Sequence, residues 1–98
     1  MSSVFKALSD PTRRRVLQLL RVGPKSAGEI SDRFDVSKPT MSAHFAVLKE
    51  ADLVHAEKLG KSVIYHLKLS VLEDALLGFV HSFDGGAETP APDEETAP

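Results

Sequence analysis

Apolar residues recur at helical spacing along the first part of the chain, and capping residues mark where the periodic segments begin and end. Asp10-Pro11 is a helix start signal, with Asp as the N-cap and Pro at the first helical position. Gly23-Pro24 ends that helix, and a shorter amphipathic segment at 3–8 precedes it. The pattern therefore predicts two helices here. Their inward residues are Val4, Phe5, Leu8, Val16, Leu17 and Leu20.

Two more helices are predicted next, with a very short turn between them. Ser26-Ala27-Gly28-Glu29 has capping-box spacing and opens a short helix that turns Ile30 and Phe34 inward. Asp35-Val36 forms a tight connection, and Ser37 caps a further helix with an apolar residue at i, i+4 and i+7. The inward residues of that helix are Met41, Phe45 and Leu48.

The periodicity then changes from helical to alternating. Apolar and polar residues alternate between Leu53 and Leu69, with a break at Leu59-Gly60-Lys61, which predicts a β-hairpin with a glycine at its tip. Ser70-Val71-Leu72-Glu73 repeats the capping-box spacing and starts a last helix that reaches about Phe83. The predicted fold class is mainly α with a small β-hairpin.

Composition narrows the chemistry without naming a function. The 98 residues include no cysteine, which excludes disulfides, thiolate zinc sites, iron–sulfur clusters and cysteine nucleophiles. No apolar run approaches the roughly 20 residues of a membrane span, and no signal peptide is evident, so we expect a cytoplasmic protein that is not membrane-bound. No phosphate loop, nucleophile elbow or zinc-protease motif is present, which favours a protein that is not an enzyme.

The net charge of −2 combines two unlike regions. Residues 85–98 hold four acidic residues, no Lys or Arg and no apolar side chain larger than Ala, which is typical of a disordered acidic tail. Residues 1–84 hold all 12 Lys and Arg against 10 Asp and Glu, a net charge of +2. We therefore predict one folded domain over 1–84, with a mildly basic surface that permits DNA binding.

A helix, a tight turn, a second helix and a hairpin with a basic tip form a winged helix-turn-helix arrangement. An α-helix about 10–12 Å across fits the roughly 12 Å major groove of B-DNA. At 100° per residue, the outward face of the second helix carries only small side chains: Pro39, Ser42, Ala43 and Ala46. Lys38 lies at its start, Thr40 and His44 flank the inward stripe, and Lys58 and Lys61 bracket the hairpin tip.

The run from Ser37 to Val54, SKPTMSAHFAVLKEADLV, resembles the recognition-helix signature of ArsR/SmtB-family repressors. Ala7-Leu8-Ser9-Asp10-Pro11-Thr12-Arg13 is similar to the family's opening, and Gly60-Lys61 followed by Tyr65 to its wing. The likeness covers residues 4–83. It implies a sequence-specific transcriptional repressor that binds a palindromic double-stranded DNA operator as a homodimer, through its first and last helices, without a cofactor.

The resemblance and the outward face together give the candidate site residues. The candidate DNA-binding residues are Ser37, Lys38, Pro39, Thr40, Ser42, Ala43, His44, Lys58 and Lys61. The last helix has eight apolar residues among thirteen, more than a domain this small easily covers, which favours a two-fold interface. The candidate interface residues are Val4, Phe5, Leu8, Leu72, Leu76, Phe79, Val80 and Phe83.

Departures from the family pattern concern one bend and the metal ligands. Asp52 stands where the family usually has Gly, at a bend often assigned a positive φ, which Asp tolerates better than most residues. Ser26 and Gly28 stand where one metal-sensing type has its Cys-x-Cys pair. The last helix offers only Glu73, Asp74 and His81. The chain therefore resembles the non-metal, SdpR-like branch, and no metal ligand is predicted.

Several interpretations stay open at this point. The Arg13-Arg14-Arg15 run is either a phosphate contact or a solvated face, with Arg13 expected to reach toward Asp10. His55 and His66 would lie opposite each other across a two-residue turn, either as a shared ion site or as pH-sensitive surface histidines. The Ala-rich helix face and modest charge also fit a winged-helix adaptor that binds proteins and not DNA.

Overall fold

The computed structural model describes residues 3–84, so the predicted acidic tail lies outside the described residues. Within that range the chain forms five helices and a three-stranded sheet. The helices are α1 (Ser3–Leu8), α2 (Pro11–Val22), α3 (Ala27–Ser31), α4 (Lys38–Glu50) and α5 (Leu69–Asp84). The strands are β1 (Lys25–Ser26), β2 (Val54–Leu59) and β3 (Ser62–Leu67). None of these helices is long and apolar enough to cross a bilayer.

Helix α2 begins and ends where the capping residues predicted. The backbone N–H of Arg13 donates to Asp10 Oδ2 at 3.1 Å, so Asp10 is the N-cap and Pro11 occupies the first turn. At the other end the N–H of Gly23 donates to the carbonyl of Leu20. The predicted inward residues of α2 are all buried: Val16, Leu17 and Leu20.

The capping box of α3 is confirmed, but the helix is shorter than predicted. The N–H of Glu29 donates to Ser26 Oγ at 3.0 Å, and the N–H of Ser26 donates to Glu29 Oε1 at 2.8 Å. This backbone hydrogen bond lowers the pKa of Glu29 below its ordinary value. The helix ends at Ser31, and Phe34 packs half-buried against the core from beyond it.

The very short turn predicted between α3 and α4 is wrong, because six residues, 32–37, connect the two helices. The N–H groups of Arg33 and Phe34 donate to the carbonyls of Ile30 and Ser31, so the backbone leaves the helix through successive tight turns. After these turns the Phe34 side chain still packs half-buried against the core. A hydrophobic period alone therefore did not reveal where the helix ends.

The predicted hairpin is confirmed, and a third strand joins it. Strands β2 and β3 pair antiparallel across the two-residue turn Gly60-Lys61, with Leu59 opposite Ser62 and His55 opposite His66. Strand β1 pairs with the outer edge of β3, which gives the order β1-β3-β2. The sequence did not predict β1, because two residues are too few to show an alternating pattern.

Helix α5 starts one residue before the predicted cap. The carbonyl of Lys68 accepts from the N–H groups of Val71 and Leu72, so Leu69 is the first helical residue and Ser70 lies inside the helix. The N–H of Lys68 donates to the carbonyl of Leu53 at 2.9 Å. This bond holds Lys68, at the end of the hairpin, beside Leu53, which follows α4, so the helix begins at the next residue, Leu69.

The hydrophobic core draws on every helix except α5. Its buried residues are Val4, Ala7, Val16, Leu17, Leu20, Ile30, Met41, Phe45, Leu48, Ala51, Leu53, Val54 and Tyr65. Helix α5 contributes only half-buried side chains at its start, namely Val71, Leu72 and Ala75. The core is therefore built from α1 to α4 and the strands, and most of α5 lies on the surface of the domain.

The hairpin turn depends on a glycine with left-handed backbone geometry. Gly60 has φ +61°, so Gly60→Ala should lower the free energy of unfolding by about 1 kcal/mol, because a Cβ disfavours this conformation. Gly23→Ala is the matched control, since its backbone is extended and nothing lies within 4 Å of the added carbon. Urea unfolding of both variants checks this, and equal losses would contradict the assignment of strain to the turn.

Candidate nucleic-acid interface

The start of α4 is fixed by a hydroxyl pair. Ser37 Oγ accepts from the N–H of Thr40 at 3.2 Å, and the Ser37 hydroxyl donates to Thr40 Oγ1 at 2.9 Å. Ser37 is therefore the N-cap, as predicted, and Pro39 lies in the first turn, where its missing N–H costs nothing. The Thr40 hydroxyl keeps its own proton, so it can still donate to an external acceptor.

One face of α4 is buried and the opposite face carries small side chains. Met41, Phe45 and Leu48 are all buried, which confirms the predicted inward stripe. The residues predicted to point outward are all exposed: Pro39, Ser42, Ala43 and Ala46. Because none of them extends far from the helix axis, the backbone on this side can approach another surface closely. Thr40 and Lys38 are exposed at the same end of the helix.

An aromatic contact joins α4 to the hairpin. The rings of Phe45 and Tyr65 stack with their centroids 4.5 Å apart and an interplanar angle of 26°. Burial also raises the pKa of the Tyr65 phenol above its ordinary value. Tyr65 pairs directly with Ala56, and Lys58 follows Ala56 by two residues. Side chains alternate along a strand, so Lys58 leaves the sheet on the face toward α4.

Three lysines of this surface have no carboxylate partner among residues 3–84. Lys38 lies at the first residue of α4, Lys58 near the end of β2, and Lys61 in the hairpin turn, and all three are exposed. A cation at a helix start gains nothing from the helix dipole. These three exposed lysines and the small exposed side chains of α4 are what we call the basic face.

His44 lies at the edge of this face but is turned inward. Its side chain is 14% exposed, and its Nδ1 lies 3.1 Å from Arg13 Nη1. Arg13 also donates from Nε to the carbonyl of Ala7 at 2.9 Å and from Nη2 to the carbonyl of Lys6 at 3.0 Å. The structure thus gives His44 an internal partner, and it gives Arg13 backbone and imidazole acceptors in place of the carboxylate expected from the sequence.

The neighbouring arginines also have partners within the domain. Arg14 Nη1 donates to the carbonyl of Leu8 at 2.7 Å, so Arg14 helps to cap the end of α1. The guanidinium of Arg15 lies over the Phe34 ring, 4.8 Å from its centroid. Both side chains are exposed, and a phosphate contact from either stays a prediction.

The bend after α4 has the left-handed backbone that the sequence indicated. Asp52 has φ 62° and is the one non-glycine residue with positive φ among those described. Its Oδ1 accepts from Lys68 Nζ at 2.7 Å, which ties the bend to the end of β3. The Asp52 carboxylate therefore forms an ion pair with Lys68 that a glycine at this bend could not form.

His55 and His66 lie opposite each other on the hairpin, as the two-residue turn predicted. Their ring centroids are 5.9 Å apart, and His66 Nε2 lies 2.9 Å from Glu57 Oε1. These three side chains leave the sheet face turned away from α4, because His55 alternates with Ala56. Over residues 3–84, no three His, Asp or Glu side chains are grouped so that they could hold a metal ion.

A second surface, apolar and separate from the basic face, runs along α5. The Phe5 ring of α1 contacts Phe79 at a centroid distance of 4.9 Å, and Phe79 contacts Phe83 at 5.0 Å. Val80 is 51% exposed and Phe83 73% exposed. Together with the exposed Leu76 and Leu77 they form what we call the apolar face of α5.

Most predicted interface residues border this apolar face, with one exception. Leu8 and Leu72 are half-buried at its edge. Val4 is only 7% exposed and lies in the core of its own protomer. Val4 therefore supports α1 from beneath and is not part of the surface available to a partner.

Comparisons with known proteins agree with this geometry. A family profile described as a helix-turn-helix domain matches residues 8–57. The chain is 41% identical over 87 residues to the transcriptional repressor SdpR of Bacillus subtilis, covering 86% of this chain and 97% of that protein. The crystal structure of the ArsR family transcriptional regulator RHA00566 superposes with a TM-score of 0.81 at 26% identity, covering 90% of this chain and 96% of that one. The chain belongs to the ArsR family of transcriptional regulators.

The solved structure of a possible ArsR-family regulator bears on assembly. The homodimeric winged helix-turn-helix DNA-binding domain Mb0332 of Mycobacterium bovis superposes with a TM-score of 0.67 at 28% identity, covering 84% of this chain and 77% of that one. The resemblance inferred from the recognition-helix run, and the winged helix-turn-helix fold, are thereby confirmed. In ArsR-family terms, α4 is the recognition helix and the β2–β3 hairpin is the wing.

Sequence reasoning missed one link in this site, between Arg13 and His44. The two residues are 31 positions apart, and no periodic pattern connects them. Each lies in one of the two motifs that carry the family resemblance, the opening run and the recognition-helix run. Their presence in these two motifs was the only indication in the sequence, and it does not predict that the two side chains touch.

Proposed function

We propose that this chain is a sequence-specific DNA-binding transcriptional repressor that acts as a homodimer on a palindromic operator. The observation that carries the proposal is the basic face, which combines small exposed side chains on α4 with Lys38 at the start of the helix and two exposed lysines on the wing. The named function of SdpR as a transcriptional repressor supports it. The homodimeric DNA-binding domain Mb0332 supports the assembly.

The basic face fits duplex DNA in a definite way. The first turns of α4 enter the major groove, where the small side chains let the helix approach the base edges. Lys38, Lys58 and Lys61 neutralise phosphates, while Ser42 and Thr40 donate hydrogen bonds to bases or to phosphate oxygens. The exposed residues of the first turns proposed to contact DNA are Ser37, Lys38, Pro39, Thr40, Ser42 and Ala43.

The apolar face of α5 is the proposed two-fold interface. It joins α1 and α5 through the Phe5–Phe79 contact and leaves Val80 and Phe83 largely exposed in one protomer. A second copy would cover these side chains with its own, as a two-fold axis requires. The other proposed interface residues are Leu8, Leu72 and Leu76. A dimer places two recognition helices about 34 Å apart, one turn of DNA.

Repression then follows from occupancy of the operator, with no catalytic step. We infer that residues 1–84 form the DNA-binding and dimerisation unit and that the protein acts in the cytoplasm. No metal ligand set of the family is present at Ser26, Gly28 or along α5, so we propose that release from DNA does not depend on a metal.

DNA binding should depend steeply on salt. With three phosphate contacts per protomer, affinity for duplex DNA should fall about a thousandfold between roughly 50 mM and 200 mM salt, because condensed counterions are released on binding. Fluorescence anisotropy with a random-sequence duplex measures this. An absent or salt-independent signal would favour the adaptor interpretation, in which the basic face binds a protein.

Two substitutions on α4 separate affinity from specificity. Lys38→Ala should weaken binding to all duplexes alike and lower the salt slope by about two per dimer, because it removes a phosphate contact from each protomer. Ser42→Ala should instead change discrimination at one base position per half-site by about 1–3 kcal/mol.

Selection from a random duplex pool, followed by titration, distinguishes the two effects. Lys49→Ala, at the other end of the same helix, is the matched control and should leave both quantities unchanged. Uniform loss from Ser42→Ala would show that Ser42 anchors phosphate and does not contact a base.

The dimer interface can be tested with a pair of equally exposed residues. Val80→Glu should raise the dimer dissociation constant at least about a hundredfold, because it places a carboxylate in an apolar contact. Leu59→Glu is the control, since Leu59 is 54% exposed but lies on the wing. Light scattering after size exclusion measures the mass. Dimers that survive Val80→Glu would place the interface elsewhere.

A further inference from the structure

A single guanidinium connects three elements of the domain. Arg13, in the first turn of α2, bonds to two carbonyls of α1, those of Lys6 and Ala7, and to Nδ1 of His44 on the recognition helix. Its backbone N–H binds Asp10 Oδ2, which lowers the pKa of that carboxyl. Arg13 is the one described residue whose side chain bonds to both α1 and α4.

The contact with α1 satisfies the open end of a helix. The last carbonyls of an α-helix have no partner within the helix. A cation near them also interacts favourably with the negative end of the helix dipole. Arg13 donates to two of these carbonyls, and Arg14 donates to that of Leu8. The orientation of α1, which carries Phe5 of the apolar face, is therefore tied to the same guanidinium that meets the recognition helix.

The contact with His44 requires one form of the imidazole if it is a hydrogen bond. An arginine side chain has only donors, so Nδ1 of His44 must accept, and the proton of the neutral ring lies on Nε2. Nε2 is 3.9 Å from Asp10 Oδ2. Only a neutral His44 can make this bond, because an imidazolium has no acceptor nitrogen.

We propose that Arg13 is a positioning residue that sets the recognition helix relative to α1 through His44, and that protonation of His44 releases this link and weakens operator binding. The inference rests on the proposed function. Protonation turns a hydrogen bond into the close approach of two cations and draws the ring toward Asp10. The recognition helix then loses its connection to the helix that meets the second protomer.

The charged groups that face the imidazole are few in the described part of the chain. Arg13 comes from α2 and Asp10 from its N-cap, while α1 contributes the carbonyls that bind Arg13. The one charged side chain of α1, Lys6, is exposed and forms no described bond to the imidazole. Strand β2 also packs against α4, but none of its His55, Glu57 and Lys58 side chains bonds to the imidazole.

The test compares the pH dependence of operator binding in three proteins. The probe is the duplex selected by the protein from a random pool, followed by anisotropy from about pH 7.5 to about pH 5.5, the range in which imidazoles titrate. The wild-type dimer should lose about 25-fold in affinity, because a loss of roughly fivefold, the value of one hydrogen bond, occurs at each of its two recognition helices. His44→Asn keeps an acceptor for Arg13 but cannot titrate, so its affinity should stay level.

His66→Asn is the matched control, because His66 also lies beside a carboxylate but on the wing face turned away from α4. It should keep the wild-type pH dependence. Arg13→Lys keeps the charge but cannot reach three acceptors, and it should lose operator affinity at neutral pH while the dimer mass is unchanged. A wild type with no pH dependence, or a His44→Asn variant with the same dependence, would overturn the inference.

A second measurement does not require DNA. Nitrogen-15 spectra of the histidine rings in the free protein should show His44 with its proton on Nε2 at neutral pH, and Arg13→Lys should disturb this state. A proton on Nδ1 would overturn the inference, even if a variant failed to fold. Failure to bind any duplex at neutral pH would instead overturn the proposed function, and the positioning role with it.

Discussion

Burial of one stripe of α4 is the constraint on which the rest of the structure depends. Met41, Phe45 and Leu48 are inserted into the core, and this fixes the rotation of the helix about its axis. Ser42 and Ala43 then lie on the opposite, exposed side of the helix, independent of the conformation of the loops. The same burial positions the wing, because the ring of Phe45 stacks on Tyr65 of β3. The packing of α4 in the core therefore also determines which side chains the basic face presents.

The core leaves α5 only partly covered, and this limits what a lone protomer can be. The first turns of α5 pack on the core through Val71, Leu72 and Ala75, whereas Val80 and Phe83 have little to pack against in the residues described. A small domain buries only a modest apolar area, and large apolar side chains left in water lower its stability further. The sequence thus contains more apolar helix than one copy can use, which favours pairing of two copies.

Local signals in the sequence predicted most of the elements because their causes are local. A cap such as Asp10 or Ser37 acts within three residues, and a two-residue turn at Gly60-Lys61 sets the register that places His55 opposite His66. The face of α4 also follows from spacing alone. The side chains on the outward face of α4 could therefore be predicted from the sequence without knowing any contact between distant residues.

What the sequence did not reveal depends on contacts between distant residues. Strand β1 exists only because β3 offers a free edge to two residues, and the end of α3 was hidden because Phe34 reaches the core from a turn. The start of α5 at Leu69 depends on Lys68, which is held by the bend after α4. Hydrophobic period identifies which residues face the core, but not which backbone conformation brings them there.

The Arg13 contacts show how the two surfaces of such a small domain can influence each other. The basic face and the apolar face of α5 share no residue, yet α1 and α4 meet at one guanidinium. A hydrogen bond of this kind is directional, so a small change in the orientation of α1 has to be absorbed either by the bond or by the recognition helix. The proposed groove contacts and the proposed dimer contacts are therefore carried by elements that this one side chain connects.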